Sequence, residues 1–197
     1  MSWTESFVLT FVPLFIVIDA LGNLPLIITM SEGMSIQQRR KTIHIATATA
    51  AIVGLAFLFL GRFILNVMGI SPGAFAIAGG IILFVLSIKY ILTGRIVEVI
   101  RAEMMAAVPI GTPLVVGPAT ITTLLLLAPQ YPLYMVLISF LLNLLIAWSI
   151  FLLGNWIVGF TGQGGLRAVS QVFNLLLAAI GISMILRGLT LLQLIHG

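Results

Sequence analysis

Phe7 to Met30 reads FVLTFVPLFIVIDALGNLPLIITM, an apolar run long enough to cross a bilayer that carries one charge, Asp19. About 20 apolar residues in a helix span ~30 Å of hydrocarbon. A carboxylate inside such a run costs ~2.5–3.5 kcal/mol even on lenient insertion scales. It therefore faces a protein interior or a watery cavity and marks a functional site. Gly22, Asn23 and Pro25 follow at once. Pro25 cannot donate to residue 21, and Gly22 lets the backbone leave helical geometry cheaply. The run thus predicts a span that opens near Ala20 to Gly22 and leaves carbonyls there for a cation, water or a substrate ammonium.

The whole chain supports a membrane setting. Its 197 residues are 61% hydrophobic and 7% charged, with mean hydropathy +1.26. A soluble domain could not cover its surface from that composition. There are no cysteines, so disulfides and thiolate metal sites are excluded. No paired-histidine, HExxH or paired-carboxylate pattern offers a metal site, and no cofactor is expected. The net charge of +4 reflects cations gathered on the cytoplasmic side of a bilayer rather than affinity for nucleic acid. The N-terminus lacks the basic region and cleavage site of a signal peptide, so the first run reads as a mature span.

Apolar runs fall at roughly 6–30, 43–66, 72–93, 106–128, 132–157 and 168–193. About six transmembrane helices are expected in a single integral membrane domain covering 1–197. Ser71-Pro72 is suited to cap and start the third helix. Pro129 to Pro132 is a tight turn, and Gly159 to Gly165 (GFTGQGG) a flexible one. With the N-terminus outside, Arg39, Arg40, Lys41, Arg95, Arg101 and Arg167 lie inside, leaving Arg62 and Arg187 outside. Both termini are thus expected outside the cytoplasm. A shift of about 98 residues aligns Phe75 with Phe173, Lys89 with Arg187, and Asp19-Ala20 with Gly117-Pro118. This predicts two inverted three-helix repeats, about 1–94 and 106–197, joined by a linker near 95–105.

The fourth run is the second interrupted one. Pro109, Gly111, Pro113, Gly117 and Pro118 preclude an unbroken helix. Pro118 suits the first turn of a new half-helix. The amides of Ala119, Thr120 and Ile121, with the hydroxyls of Thr120, Thr122 and Thr123, would then face an anion at a positive helix end. Local capping by Thr122 and Thr123 is the competing reading. One break brings carbonyls and a carboxylate, the other amides and hydroxyls. A small zwitterion satisfies both.

The DxxGNxP run (Asp19, Gly22, Asn23, Pro25) and the PxxxGPxTxTT run (Pro113, Gly117, Pro118, Thr120, Thr122, Thr123) resemble those of the MarC family. The likeness covers essentially the whole chain, including Phe75 to Gly80. The family includes SnatA-type carriers of small neutral amino acids and resembles the LysE-like exporter superfamily. The resemblance implies six spans in the inner membrane, broken first and fourth helices, and movement of glycine or alanine coupled to H+ or Na+. It implies substrate contacts at Asp19, Gly22, Asn23, Gly117, Pro118, Thr120, Thr122 and Thr123, ion coupling at Asp19, and helix breaks at Pro25 and Pro113; the residues themselves add the Ala119 amide to the contacts and Gly111 to the breaks. Ala20 and Ala119 depart from the family's usual proline and glycine, which makes both breaks less obligatory.

Other features carry less. Gly69 to Gly73 matches G-x-S-x-G, but at a helix start, where a Ser cap before Pro explains it. His44 reads as interfacial or as a proton relay. Ala46, Ala50 and Gly54, and Gly73, Ala76 and Gly80, form small-residue stripes for close helix packing. Small residues facing lipid leave room for a homo-oligomer. Asn143 and Asn174, inside the fifth and sixth helices, serve as interhelical glue or cavity lining. Trp3 and Trp156 mark membrane interfaces. GFTGQGG lacks the lysine of a phosphate loop. The chain is expected to be a secondary transporter rather than an enzyme. A channel is the alternative, although its polar residues cluster at one depth instead of lining a pore. A hydrolase would need a base for Ser71.

Overall fold

The computed structural model describes residues 2–31, 33–93 and 116–193, and these are helical throughout, without a strand among them. The helices are α1 (Trp3–Ile18), α2 (Ala20–Met30), α3 (Ile36–Val67), α4 (Pro72–Thr93), α5 (Pro118–Leu127), α6 (Leu133–Leu152) and α7 (Gly154–Leu191). Five segments have the length and apolarity to cross a bilayer: Trp3–Leu24, Ile36–Val67, Pro72–Lys89, Leu133–Leu152 and Gln171–Leu191. The protein is an integral membrane protein in contact with lipid. The expected fourth span is described only as α5; residues 106–115 and the linker near 95–105 lie outside the described residues.

The helix starts follow local chemistry. Ser2 accepts from the Glu5 amide at 3.2 Å while Glu5 accepts from the Ser2 amide at 3.3 Å. Ser35 and Gln38 repeat this reciprocal cap on α3. Ser71 accepts from the Ala74 amide at 3.1 Å, and Pro72 takes the first helical position of α4. At 1.5 Å per residue, the 32 residues of α3 reach about 48 Å. Its first turns, with Arg39, Arg40 and Lys41, thus extend beyond the hydrocarbon. Farther along, the exposed Ile52, Phe59 and Phe63 face lipid.

One expectation is sharpened here and one corrected. The break expected in GFTGQGG is a kink at a single residue, where two helical stretches of α7 meet. Gly162 alone leaves helical geometry (φ 70°, ψ 165°), in the left-handed region that glycine enters without a Cβ clash. The fifth span ends at Leu152 rather than near 157. Trp156 and Phe160 then stack at 6.0 Å on the opening turns of α7 and are largely exposed, as aromatic side chains are at a membrane interface.

The most extensive helix pair is α4 with α7. These helices run antiparallel, with Gly80 facing Gly181 and Gly73 facing Gly188. A Cβ on Gly80 would lie 2.5 Å from the Gly181 carbonyl oxygen, and one on Gly188 would lie 2.6 Å from that of Gly73. The obstacle is backbone, which cannot rotate away. The stripe of Gly73, Ala76 and Gly80 is therefore a close-packing seam. Around it, α1 packs on α6 and, with α2, on α7, while α5 packs on α3 and α4. Each interrupted helix thus lies against helices from the other half of the chain.

Replacing Gly80 by leucine should force the seam apart. The expected cost is about 1–3 kcal/mol or more, read as a lower thermal unfolding midpoint in detergent. Leucine at the lipid-facing Ile82 should leave the midpoint unchanged.

Candidate functional site

The first apolar run divides at Asp19, which ends α1 and starts α2. Asp19 adopts φ 43°, ψ 54°, a left-handed conformation that Asp tolerates better than most residues. Its amide closes α1 on the Phe15 carbonyl at 3.2 Å, and its own carbonyl accepts from the Asn23 amide at 3.0 Å. In a continuous helix the Gly22 amide would bond the Ile18 carbonyl. Here the Asp19 carboxylate takes the Gly22 amide at 3.0 Å. The Ile18 carbonyl is satisfied instead by the Asn23 side-chain amide at 3.1 Å. Asp19 and Asn23 exchange partners so that the interruption closes itself.

This revises three sequence expectations. The interruption lies at Asp19, six residues before Pro25, and α2 continues through Pro25 to Met30. Transmembrane helices tolerate proline where neighbours pack around it, and α2 is held by α6 and α7. The carbonyl freed at Asp19 belongs to Ile18 and has a donor, whereas that of Leu21, four residues before Pro25, lacks its helical amide as the sequence implied. Gly22 matters for space rather than backbone freedom, because a Cβ there would coincide with the Asp19 carboxylate.

Asp19 is only 5% exposed. Gly22 supplies its hydrogen bond, and no cation pairs with it among the described residues. A lone carboxylate in hydrocarbon draws a proton or a cationic partner.

The second motif begins at Gly117, extended at φ −81°, ψ −177°, with Pro118 opening α5. No side chain caps this end. The Ile121 amide is already bonded to the Gly117 carbonyl at 3.1 Å, so it is not the free donor that the sequence suggested. Thr120, Thr122 and Thr123 are all buried. Thr122 fills the space above Gly79 of α4, a packing role. Thr123 Oγ1 is buried without a hydrogen-bond partner among the described residues. Gly111 and Pro113 lie outside the described residues.

The flanks of both motifs share one apolar cluster: Ile18, Ala20 and Leu24 from the first, Val116, Leu124 and Leu127 from the second. A second cluster joins Val17 to Leu126, with Ala119 against it. Apolar packing of α1 on α5 brings the two motifs into one core.

A family model described as "MarC family integral membrane protein" matches residues 4–192. The chain belongs to the MarC family. Relatives in this family include the UPF0056 membrane protein YhcE of Escherichia coli strain K12, 30% identical over 91% of this chain and 89% of that protein. The UPF0056 inner membrane protein YhgN of the same strain is 32% identical over 89% and 92%. The archaeal UPF0056 membrane protein MJ1677 of Methanocaldococcus jannaschii is 29% identical over 94% and 96%. No solved structure matches the chain. MarC membership thus spans the Asp19 break, α5 and the α4–α7 seam together.

The sequence left Asn143 between interhelical glue and cavity lining without naming its partners; the bond to α1 fits the first reading. Asn143 donates to the Phe11 carbonyl at 3.1 Å and to the Ser139 carbonyl at 2.8 Å. Ser139 and Thr10 hydroxyls meet at 2.7 Å. The signal was present as polar residues four apart, Ser6 with Thr10 and Ser139 with Asn143, on one face of each helix. His44 accepts from the Trp148 indole at 2.9 Å, which ties α3 to α6.

Asparagine at position 19 keeps both the cap and the left-handed preference, so Asp19→Asn should stay within about 0.5 kcal/mol of the parent. Asp19→Ala loses the cap and should cost about 1–2 kcal/mol, plus left-handed strain. Thermal unfolding of both variants in one detergent separates these roles.

Proposed function

We propose that this chain is a secondary active transporter, an exporter or exchanger of small neutral amino acids such as glycine and alanine. It works by alternating access with H+ or Na+ coupling. The observation that carries this reading is the buried, unpaired carboxylate of Asp19 at a helix interruption, packed in one core with the start of α5. An ammonium or a coupling ion answers the carboxylate. The N-terminus of α5, which no side chain caps, and the Thr123 hydroxyl suit a carboxylate. MarC membership supports the same reading, with inner-membrane placement as for the relative named YhgN.

Two inverted repeats fit the reciprocal packing, in which α1 with α2 meets α6 and α7 while α5 meets α3 and α4. In this reading both termini face outward, and the α4–α7 glycine seam is the surface on which the halves rock. Asp19 carries the coupling ion or proton, and no covalent chemistry is involved. A channel through the same break is the second reading. It is disfavoured because the buried polar side chains of α1 (Ser6, Thr10 and Asp19) lie among packed neighbours and not along an open stripe.

The purified chain in liposomes should exchange radiolabelled glycine or alanine with saturation. Asp19→Asn should retain exchange while losing acceleration by an imposed proton or sodium gradient, at least tenfold. A folded protein that moves no small amino acid contradicts the substrate assignment. Flux that never saturates favours the channel.

A further inference from the structure

We propose that the α1–α6 interface holds a small monovalent cationic group at Asn143, a station separate from Asp19. Asn143 is 2% exposed. Both protons of its amide are committed, to the carbonyls of Phe11 and Ser139. Flipping the amide would aim its oxygen at two carbonyl oxygens, so the orientation is fixed by its partners. The consequence is that Oδ1 is buried with no hydrogen-bond partner among the described residues. An unpaired acceptor in a buried interface calls for a donor or a cation.

The neighbouring hydroxyls point the same way. Thr10 Oγ1 lies within reach of the Ser6 carbonyl at 2.9 Å and the Phe7 carbonyl at 3.1 Å. In its 2.7 Å contact with Ser139 either hydroxyl can donate, and an acceptor position remains on Ser139 in both cases. Ser139 Oγ keeps lone pairs one turn from Asn143 on the same face of α6. The available ligands are thus neutral oxygens, with no carboxylate bonded to Thr10, Ser139 or Asn143. Neutral oxygens suit a singly charged group, since divalent ions need carboxylates to offset dehydration. Phe11 precedes Asp19 by eight residues, about 12 Å along the helix, too far for one small amino acid to touch both.

Two sources share this chemistry: a dissolved alkali cation such as Na+, and the ammonium end of an amino acid. That the station lies on a transport route rests on the transporter reading, whereas the binding itself does not.

The test is thermal unfolding of the purified full chain in detergent, titrated with NaCl against choline chloride at equal ionic strength. A second titration compares glycine with glycolate, which lacks the ammonium, in sodium-free buffer. The midpoint should rise with Na+, or with glycine but not glycolate. The first response assigns the alkali cation and the second the ammonium. Asn143→Leu should raise the half-saturating concentration at least tenfold, and Asn143→Asp, which keeps the acceptor and adds charge, should lower it. No response in the parent protein, or an unchanged half-saturation in Asn143→Leu, overturns the proposal and leaves water as the occupant. If Asn143→Leu does not fold, Asn143→Asp decides: tighter Na+ or glycine binding supports the station, and equal or weaker binding overturns it. An Asn143-dependent response in a protein that moves no amino acid in liposomes would retain the station and reject the transporter.

Discussion

The fold turns on an exchange of hydrogen bonds over six residues, Ile18 to Asn23. The Asp19 carboxylate takes the Gly22 amide, and the Asn23 side chain takes the Ile18 carbonyl left over. Backbone groups at membrane depth must all find partners, so a helix can be interrupted there only if side chains substitute for the missing bonds. DxxGN does this within its own length. It also fixes a carboxylate inside the protein with a single hydrogen bond and no counter-ion among its neighbours. Structural need and chemical opportunity thus fall on the same residue.

Close packing places that carboxylate in a shared core. The glycine pairs of α4 and α7 bring two backbones together where lipid offers no hydrophobic drive for association. The interrupted helices then lie across the halves, α1 and α2 against α6 and α7, and α5 against α3 and α4. An apolar cluster containing Ile18, Ala20, Val116 and Leu124 joins the two motifs.

Much of this was legible in the sequence. Hydropathy gave the membrane class, the Ser-Pro pair gave the start of α4, and the Gly73–Gly80 stripe gave the seam. The isolated charge of Asp19 marked the helix interruption. What the sequence misjudged were local contests between equivalent partners. Pro25 is the stronger breaker by propensity, yet packing carries α2 across it. Gly22 suggested a loosened backbone, whereas its value is the space it leaves for a carboxylate. GFTGQGG has turn composition, and the chain does break there, but in a kink confined to Gly162. Asn143 could not be placed because its role depends on the register of α1 against α6, which a single chain's pattern does not specify.

The chain contains no cysteine, which permits a direct measurement. Asp19→Cys, as the sole thiol, can be exposed in sealed vesicles of defined orientation to a small membrane-impermeant thiosulfonate. If Asp19 lies on a site that opens to water, the thiol reacts from at least one side. A folded protein whose thiol stays inert from both sides would place Asp19 in dry packing and contradict a binding role for the break.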